Sequence, residues 1–528
     1  MDDERPPRLG LGMWKRFAIA GVLIVLLCGG ATAAVTVSTA NRIANEVFPR
    51  LNQIHTPRGL ISSIYTGGPK TFLILGSDKR YGSKNIDERE AGPHSDTILL
   101  VRFDPEQDQT SVLSIPRDLL VTIKMPDGEA LYPQKINAAY TLGSALPGHD
   151  EGANLAAETI KQVLPGLQLN GIIDVTFAGF IRVVDSLGCV YVNVDHRYFN
   201  ENVGTPETNY TSIDLEPGYQ RLCYENALDY VRYRHTDSDF VRVARQQDFI
   251  RDAKEQLGVW GFLSKWSALA KAFGKAVWTD IRGAHEIADL LYLAAFSQAK
   301  PVREVPFQVA NPAYQINTPQ GPEEAVLSTP QLIAASVRDF LYEAPKASVP
   351  GGATSAGSSG HAVTHSHTHH THHTHHASTT IGAGHDDLYA IPASVTQQAL
   401  AITPEVGVPI YLPSVQTGPA SPNDFHPYTI RDEQGHLHYG YRIDWSAGSE
   451  GEYYGIEGMN WTNPPLFANP TGTETIGGRT YMFVSDGSSY HDIGWREGGI
   501  LYWVSNSLNE TLSNAQLLAI AESARQVH

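Results

Sequence analysis

The segment "YVRYRHTDSDFVRVARQQ", residues 230–247, sets Arg232, Arg234, Arg242 and Arg245 close together and interleaves them with Asp237 and Asp239. In a chain of 528 residues with a formal net charge of -17, so tight a cluster of guanidinium groups needs a reason. If "DYVRYR" is a strand, Val231 and Tyr233 point one way and Arg232 and Arg234 the other. Two guanidinium groups on one face repel unless an anion lies between them. In the amphipathic helix expected next, Arg242, Arg245 and Gln246 stand at i, i+3 and i+4 and share a face. Arginine forks match phosphate oxygens in a bidentate way that lysine does not reproduce. The stretch therefore suits a polyanionic phosphate. A solvated ion-pair network through Asp237 and Asp239 accounts for the same residues equally well.

Other segments tilt the balance towards the phosphate. "GSDKR" ends an apolar run with Asp78, "HSDTILLV" opens another with Asp96, and "SIPRD" closes a third with Arg117 and Asp118. In an open α/β sheet the strand ends line the ligand crevice. Two carboxylates and a cluster of arginines there suit a divalent cation, Mg²⁺ or Mn²⁺, bridging a pyrophosphate. Mg²⁺ takes few carboxylates and completes its shell with phosphate and water.

The elements that must position these groups alternate along the chain. "TFLILGSD", "TILLVRFD" and "TSVLSIP" read as strands, "GANLAAETIKQVL" as a helix, and "GIIDVTFAGFIRVVDSLGCVYVNVD" as strand, helix, strand. "ENALDYVRYRH" leads a helix into a strand, and residues 259–345 look mostly helical. The pattern predicts a mixed-sheet, layered α/β domain over 69–345. Ahead of it, the uncharged apolar run from Phe17 to Val37 is long enough to cross a bilayer as a helix. Arg5, Arg8, Lys15 and Arg16 would keep residues 1–16 in the cytoplasm. A retained anchor is favoured over a cleaved signal peptide because the run exceeds the usual signal core. Residues 38–68 read as a tether. Everything beyond the anchor then lies outside the cytoplasmic membrane.

Residues 346–386, with histidines from His361 to His376, form a low-complexity linker expected to be disordered. It either binds zinc or copper weakly or only solubilises the chain. Residues 387–528 are rich in Tyr, Gly, Thr and Trp and predict a separate, small β-rich accessory domain. "SNAQLLAIAESARQV" would close it as a helix capped by Ser513 or Asn514. The accessory domain carries no paired acid or nucleophile and is expected to be dispensable for chemistry. The acidic balance argues against nucleic-acid binding. Cys189 and Cys223 are an even pair beyond the anchor: a disulfide, or two buried thiols.

Taken in order, "GSD", "HSDTILLV", "SIPRD", "KINAAY", "FAGFIRVVDSLG" and "YVRYRHTDSDFVRVARQQ" resemble the LytR–CpsA–Psr family over about residues 69–345. The resemblance implies a membrane-anchored phosphotransferase that moves a glycopolymer from a polyprenyl-pyrophosphate donor onto a peptidoglycan sugar hydroxyl. It implies that Asp78 and Asp96 hold the metal, and that Arg117, Arg232, Arg234, Arg242, Gln246 and, more weakly, Lys135 hold the pyrophosphate. Arg117, Asp239 and Arg242 would carry the catalysis, with Asp239 orienting arginines or assisting the attacking hydroxyl. A polyprenyl-pyrophosphate hydrolase and a non-catalytic wall-binding or regulatory protein are the alternatives. With a cytoplasmic tail of 1–16 and no DNA-reading motif, a transcriptional role has nothing to rest on.

The departures from the family pattern are informative. His94 stands where many members have arginine, and Val241 replaces a usual glycine. The family commonly has Gly-Gly-Val and Leu-Asp-Gly-Glu where this chain has "GCV" and "LCYE". Two separate departures, both to cysteine, favour a Cys189–Cys223 bridge.

Overall fold

The computed structural model describes residues 52–528 apart from 65–67, 79–91, 108, 149, 202, 204–211, 234–239, 257–276, 282–285, 287–301, 319–320, 343–387, 419, 448–451 and 486–488. The expected tail (1–16), the membrane segment (17–37) and the whole histidine-rich linker (346–386) lie outside the described residues. Among the described residues no helix is long and apolar enough to cross a membrane.

The first unit contains strands β1 (Asn52–Gln53), β2 (Lys70–Ser77), β3 (Ser95–Asp104), β4 (Gln109–Ser114), β5 (Leu120–Lys124), β6 (Ala130–Lys135) and β7 (Gly171–Thr176). They are followed by β8 (Val190–Val194), β9 (Tyr198–Glu201), β10 (Ser212–Leu215), β11 (Gly218–Leu222), β12 (Val277–Thr279), β13 (Val302–Val305), β14 (Asn311–Thr318) and β15 (Gly321–Leu327). The main sheet runs β1-β12-β7-β2-β3-β4-β13 and is mixed: β2 pairs parallel with β7 and antiparallel with β3. β2 is the central strand, and "KTFLILGS" is buried along most of its length. Such a strand must be apolar on both faces. Helices Ala138–Ser144 and Glu151–Val163 cover one face, burying Tyr140, Leu155 and Ile160 against Leu73, Leu75 and Leu100.

Three expectations change here. Residues 52–64 are part of this fold rather than a tether, since β1 extends the sheet and Ile54, Leu60 and Ile64 are buried. The apolar spacing in that stretch is too sparse to reveal a two-residue edge strand. Much of 259–345, expected to be mostly helical, lies outside the described residues; its described parts are largely strands β12 to β15, together with the helix Pro330–Tyr342. The alternation in "AYQINTPQGPEEAVL" around a Pro-Gln-Gly-Pro turn is a hairpin signal, and β14 and β15 pair across it. Residues 224–232 form one helix through Arg232, so "DYVR" is not a strand. Ala227, Leu228 and Val231 are buried there at i, i+1 and i+4, the spacing of a helix face.

Cys189 and Cys223 form a disulfide with Cα atoms 4.6 Å apart. It joins the start of β8 to the residue before helix Tyr224–Arg232, and β8 pairs antiparallel with β11 between the two cysteines.

Residues 388–528 build a second seven-stranded sheet, wholly antiparallel. Its spatial order is Ser421–Arg431, Leu437–Ser446, Tyr453–Met459, Ile500–Ser505, Tyr490–Glu497, Arg479–Ser485 and Gly472–Ile476. One face packs Tyr441, Trp445, Ile493 and Trp495 with apolar residues of helices Ala393–Val406 and Asn514–Ser523. Ser513 caps the last helix, accepting from the Gln516 amide while the Gln516 side chain accepts from the Ser513 amide.

This unit has its own core but is not separate. Its other face, with Tyr428, Met459, Leu501 and Trp503, packs on Tyr191 and Tyr219 of the β8–β11 hairpin. Arg442 is fully buried at the seam. It donates to the Asp195 carbonyl at 2.9 Å, to Asn193 Oδ1 at 3.2 Å and to Glu457 Oε1 at 2.5 Å. Gly218 has a φ of +106°, and a Cβ there would lie 2.5 Å from the Tyr428 ring, so only glycine permits this approach. The composition of the C-terminal stretch predicts its strands but carries no sign of what the second face covers.

Candidate functional site

At the end of the main sheet where β2 stops and β3 begins, the backbone brings two carboxylates together. The pairing of β2 with β3 shifts register between Gly76 and Ser77, which turns the chain as it leaves the sheet. Gly76 is required there because a Cβ would come within 2.8 Å of the Thr97 side chain. Asp78 Oδ1 then accepts from the His94 amide at 2.6 Å, and the Asp78 amide donates to the His94 carbonyl at 3.1 Å. Asp96 follows in β3.

Arg117 reaches the same place from the end of β4. Its Nη1 donates to Asp96 Oδ1 at 2.7 Å and its Nε lies 3.3 Å from Asp118 Oδ2. Lys135 Nζ, at the end of β6, lies 3.4 Å from Asp118 Oδ1 and 3.2 Å from Glu323 Oε2. Charges therefore alternate along Asp96, Arg117, Asp118, Lys135 and Glu323.

These groups line an open cavity of about 670 Å³, with His94, Tyr132, Gln134, Asn137 and Asn317 among its other walls. Its described lining carries four carboxylates, Asp78, Asp96, Asp118 and Glu323, against two cations, Arg117 and Lys135. Burial raises the Asp78 carboxyl above the usual range; the His94 amide opposes the rise and the charge of Asp96 adds to it. Two carboxylates that destabilise each other's charge are a place where a divalent cation is welcome. Among the described residues no group of three or more His, Cys, Asp or Glu could hold a metal. Asp78 and Asp96 fit a hard cation that draws its other ligands from phosphate and water, as Mg²⁺ does.

The expected phosphate residues divide. Arg117 and Lys135 line the cavity with Asp78 and Asp96. Arg234 and Asp239 lie outside the described residues. Arg232 ends its helix with its guanidinium 4.1 Å above the Phe177 ring. Arg242 and Gln246 are buried on the helix over 240–256, where Gln246 Nε2 donates to the Val231 carbonyl at 3.0 Å. None of these three is among the cavity walls.

Arg245, which the spacing places on the same face as Arg242, is fully buried and structural. It donates to the Tyr230 and Tyr233 carbonyls at 3.3 and 3.0 Å and to the Tyr198 hydroxyl at 3.1 Å. A cation at these carbonyls closes the C-terminus of helix Tyr224–Arg232. Part of the arginine cluster thus serves the fold. Tyr132, Asn317 and Glu323 are cavity residues that sequence reasoning passed over. The hairpin signal in 311–327 marks two of them, and nothing local marks Tyr132.

Comparisons with known proteins follow the same lines. A family model described as "LytR_cpsA_psr family" matches residues 35–326. The chain is 28% identical over 217 residues to Biofilm regulatory protein A of Streptococcus mutans, covering 40% of this chain and 50% of that protein. It is 26% identical over 269 residues to the polyisoprenyl-teichoic acid–peptidoglycan teichoic acid transferase TagU of Bacillus cereus, covering 50% of this chain and 78% of that one. The chain thus spans only half the length of the first of these relatives. Similar solved structures include TagV of B. subtilis, at 22% identity, 52% of this chain, 96% of that one and a TM-score of 0.39. Another is TagT bound to LIIa-WTA, at 21% identity, 55% of this chain, 99% of that one and a TM-score of 0.40.

Proposed function

This chain belongs to the LytR–CpsA–Psr family, and on that premise we propose that it transfers a glycopolymer from a polyprenyl-pyrophosphate carrier to a sugar hydroxyl of peptidoglycan. The observation that carries this reading is the cavity at the ends of β2, β3, β4 and β6, where Arg117 and Lys135 alternate with Asp96 and Asp118. A pyrophosphate bound there meets a guanidinium and an ammonium already held in place by carboxylates, so little ordering remains to be done on binding.

In the reaction, the acceptor hydroxyl oxygen attacks the phosphorus that carries the glycopolymer. The bond from that phosphorus to the bridging oxygen breaks, and polyprenyl phosphate leaves with the electron pair. The hydroxyl proton passes to a carboxylate or to water. Arg117 and Lys135 bind the negative oxygens that gain charge as the bridge breaks. A magnesium held by Asp78 and Asp96 would neutralise charge on the same phosphate when bound. Arg232, Arg234, Arg242 and Gln246 belong to the proposal as a second phosphate-holding set, and Asp239 as the group that orients them. The catalytic unit works outside the cytoplasmic membrane, tethered through the apolar segment 17–37.

The test incubates the purified full chain with a short-chain polyprenyl-pyrophosphate disaccharide and glycan strands of peptidoglycan. Release of polyprenyl phosphate together with saccharide phosphate joined to the glycan, read by mass spectrometry, is the expected result. Release of polyprenyl phosphate with free saccharide phosphate alone would identify a hydrolase. No release in the presence of Mg²⁺ would identify a binding protein.

A further inference from the structure

The cavity has a wall that phosphate chemistry does not use. Tyr132, in β6, lines it with a side chain that is 62% exposed, among the most exposed large apolar residues described. Gln134 stands two residues on, and Asn317 lines the same space from β14. The β5–β6 and β14–β15 hairpins are tied together at this edge by the Lys135–Glu323 ion pair and by the Val326 amide donating to the Asp118 carbonyl at 2.8 Å. An aromatic ring and two side-chain amides are therefore held on two linked hairpins, beside the cations Arg117 and Lys135.

We propose that Tyr132, Gln134 and Asn317 form a subsite for a pyranose ring at the rim of the cavity. An aromatic face carries negative potential, and the C–H bonds on one face of a pyranose present positive potential to it. The hydroxyl and acetamido groups at the ring's edge both donate and accept, which carboxamides match and a carboxylate or ammonium alone does not. Ligand sites combine an apolar surface with a few placed polar groups in this way. The ring's place beside Lys135 puts the sugar next to the bound phosphate. The neighbouring sugar is either the first residue of the glycopolymer donor or the residue of the glycan acceptor that offers its hydroxyl. Tyr132 is a specificity-determining residue here, and its exposure means that the fold gains little from its ring.

The subsite rests on the proposed transfer reaction for its biological meaning, but it is tested without turnover. The full chain is titrated by calorimetry with chitotetraose as an acceptor probe, with a soluble disaccharide pyrophosphate as a donor probe, and with inorganic pyrophosphate. Tyr132→Ala should weaken one saccharide probe about tenfold, the scale of a lost aromatic contact, and leave inorganic pyrophosphate unchanged. Tyr132→Trp should restore it, which a merely structural role would not predict. Loss on chitotetraose assigns the subsite to the acceptor, and loss on the disaccharide pyrophosphate alone assigns it to the donor. Unchanged binding of both saccharide probes by Tyr132→Ala overturns the subsite. Failure of the wild-type chain to bind inorganic pyrophosphate would instead overturn the phosphate site, and the saccharide result would still stand.

Discussion

Arg117 and Asp96, twenty-one residues apart in the chain, are joined by a 2.7 Å bond from Nη1 to Oδ1 inside the cavity that also holds Asp78 and Lys135. One guanidinium thus holds a carboxylate, and an incoming phosphate competes for it.

Replacing Arg117 with alanine should lower transfer by about a hundredfold or more, the usual scale for losing a placed donor to developing charge. Arg117→Lys should recover little, because an ammonium does not reproduce the fork that meets Asp96 and Asp118 together. Initial rates of polyprenyl phosphate release check this, with thermal midpoints as a control. Wild-type rates from Arg117→Ala would remove this residue from the site.

The buried ion pair between Arg442 and Glu457 should make the seam between the two units costly to break from one side. Arg442→Met leaves a carboxylate buried without its partner and also abandons the Asp195 carbonyl, at a cost of about 3–5 kcal/mol. The double variant Arg442→Met/Glu457→Gln should regain most of the loss. Urea midpoints of the full chain decide the matter, and equal midpoints for single and double variants would refute the coupling.

Ending the chain before residue 388 should leave a poorly soluble product, in contrast to the independence that composition suggests. Tyr191 and Tyr219, buried against Trp503 and Met459, would face water in the truncated protein. Size-exclusion chromatography of the truncated and full chains reads this out. A monodisperse truncated product as stable as the parent would show that the docked sheet contributes nothing to the first unit.

Asp444 predicts a pH dependence. Burial pushes its carboxyl up to about 7, with Arg442 opposing the rise, while Asn423 donates to its Oδ2 at 2.8 Å. A raised native-state value means that the folded protein holds the proton more tightly than the unfolded chain. The contribution to stability is therefore full below about 4 and lost as pH climbs through about 7. Asp432 and Glu510 are shifted the other way, so the difference between two variants is cleaner than one profile. Asp444→Asn should come nearest the wild type in thermal midpoint at about pH 4 and exceed it by a margin that grows up to about pH 8. A gap that does not change with pH would sink the prediction.

The disulfide closes a segment with a sequence separation of 34, worth about 3–4 kcal/mol by chain entropy. Cys223→Ser should cost that much in urea unfolding of the oxidised chain, and reductant should destabilise the wild type but not the variant. An effect of reductant on both would place its action elsewhere.

What the sequence determined by itself was local. The apolar run "TFLIL", the turn glycine before Asp78, the capping pair Ser513 and Gln516, and the strands on either side of "PEQDQ" are set by side-chain type and spacing within a few residues. Of the groups in the ordered motifs, Asp78, Asp96, Arg117 and Lys135 share an end of the sheet, where strand ends converge, while Arg232, Arg242 and Gln246 are not among the cavity walls. Tertiary structure decided the rest. Arg245 differs from Arg117 only in what surrounds it: three backbone and hydroxyl oxygens enclose the first, and an open cavity faces the second. Arg232 became the end of a helix because Ala227, Leu228 and Val231 pack as one helix face against neighbours remote in sequence. Tyr132 and Asn317 meet only through two hairpins linked by Lys135 and Glu323. Docking of the second sheet depends on Arg442 finding a carbonyl 247 residues away. Burial and long-range pairing belong to the folded chain as a whole, so no local stretch of residues encodes them.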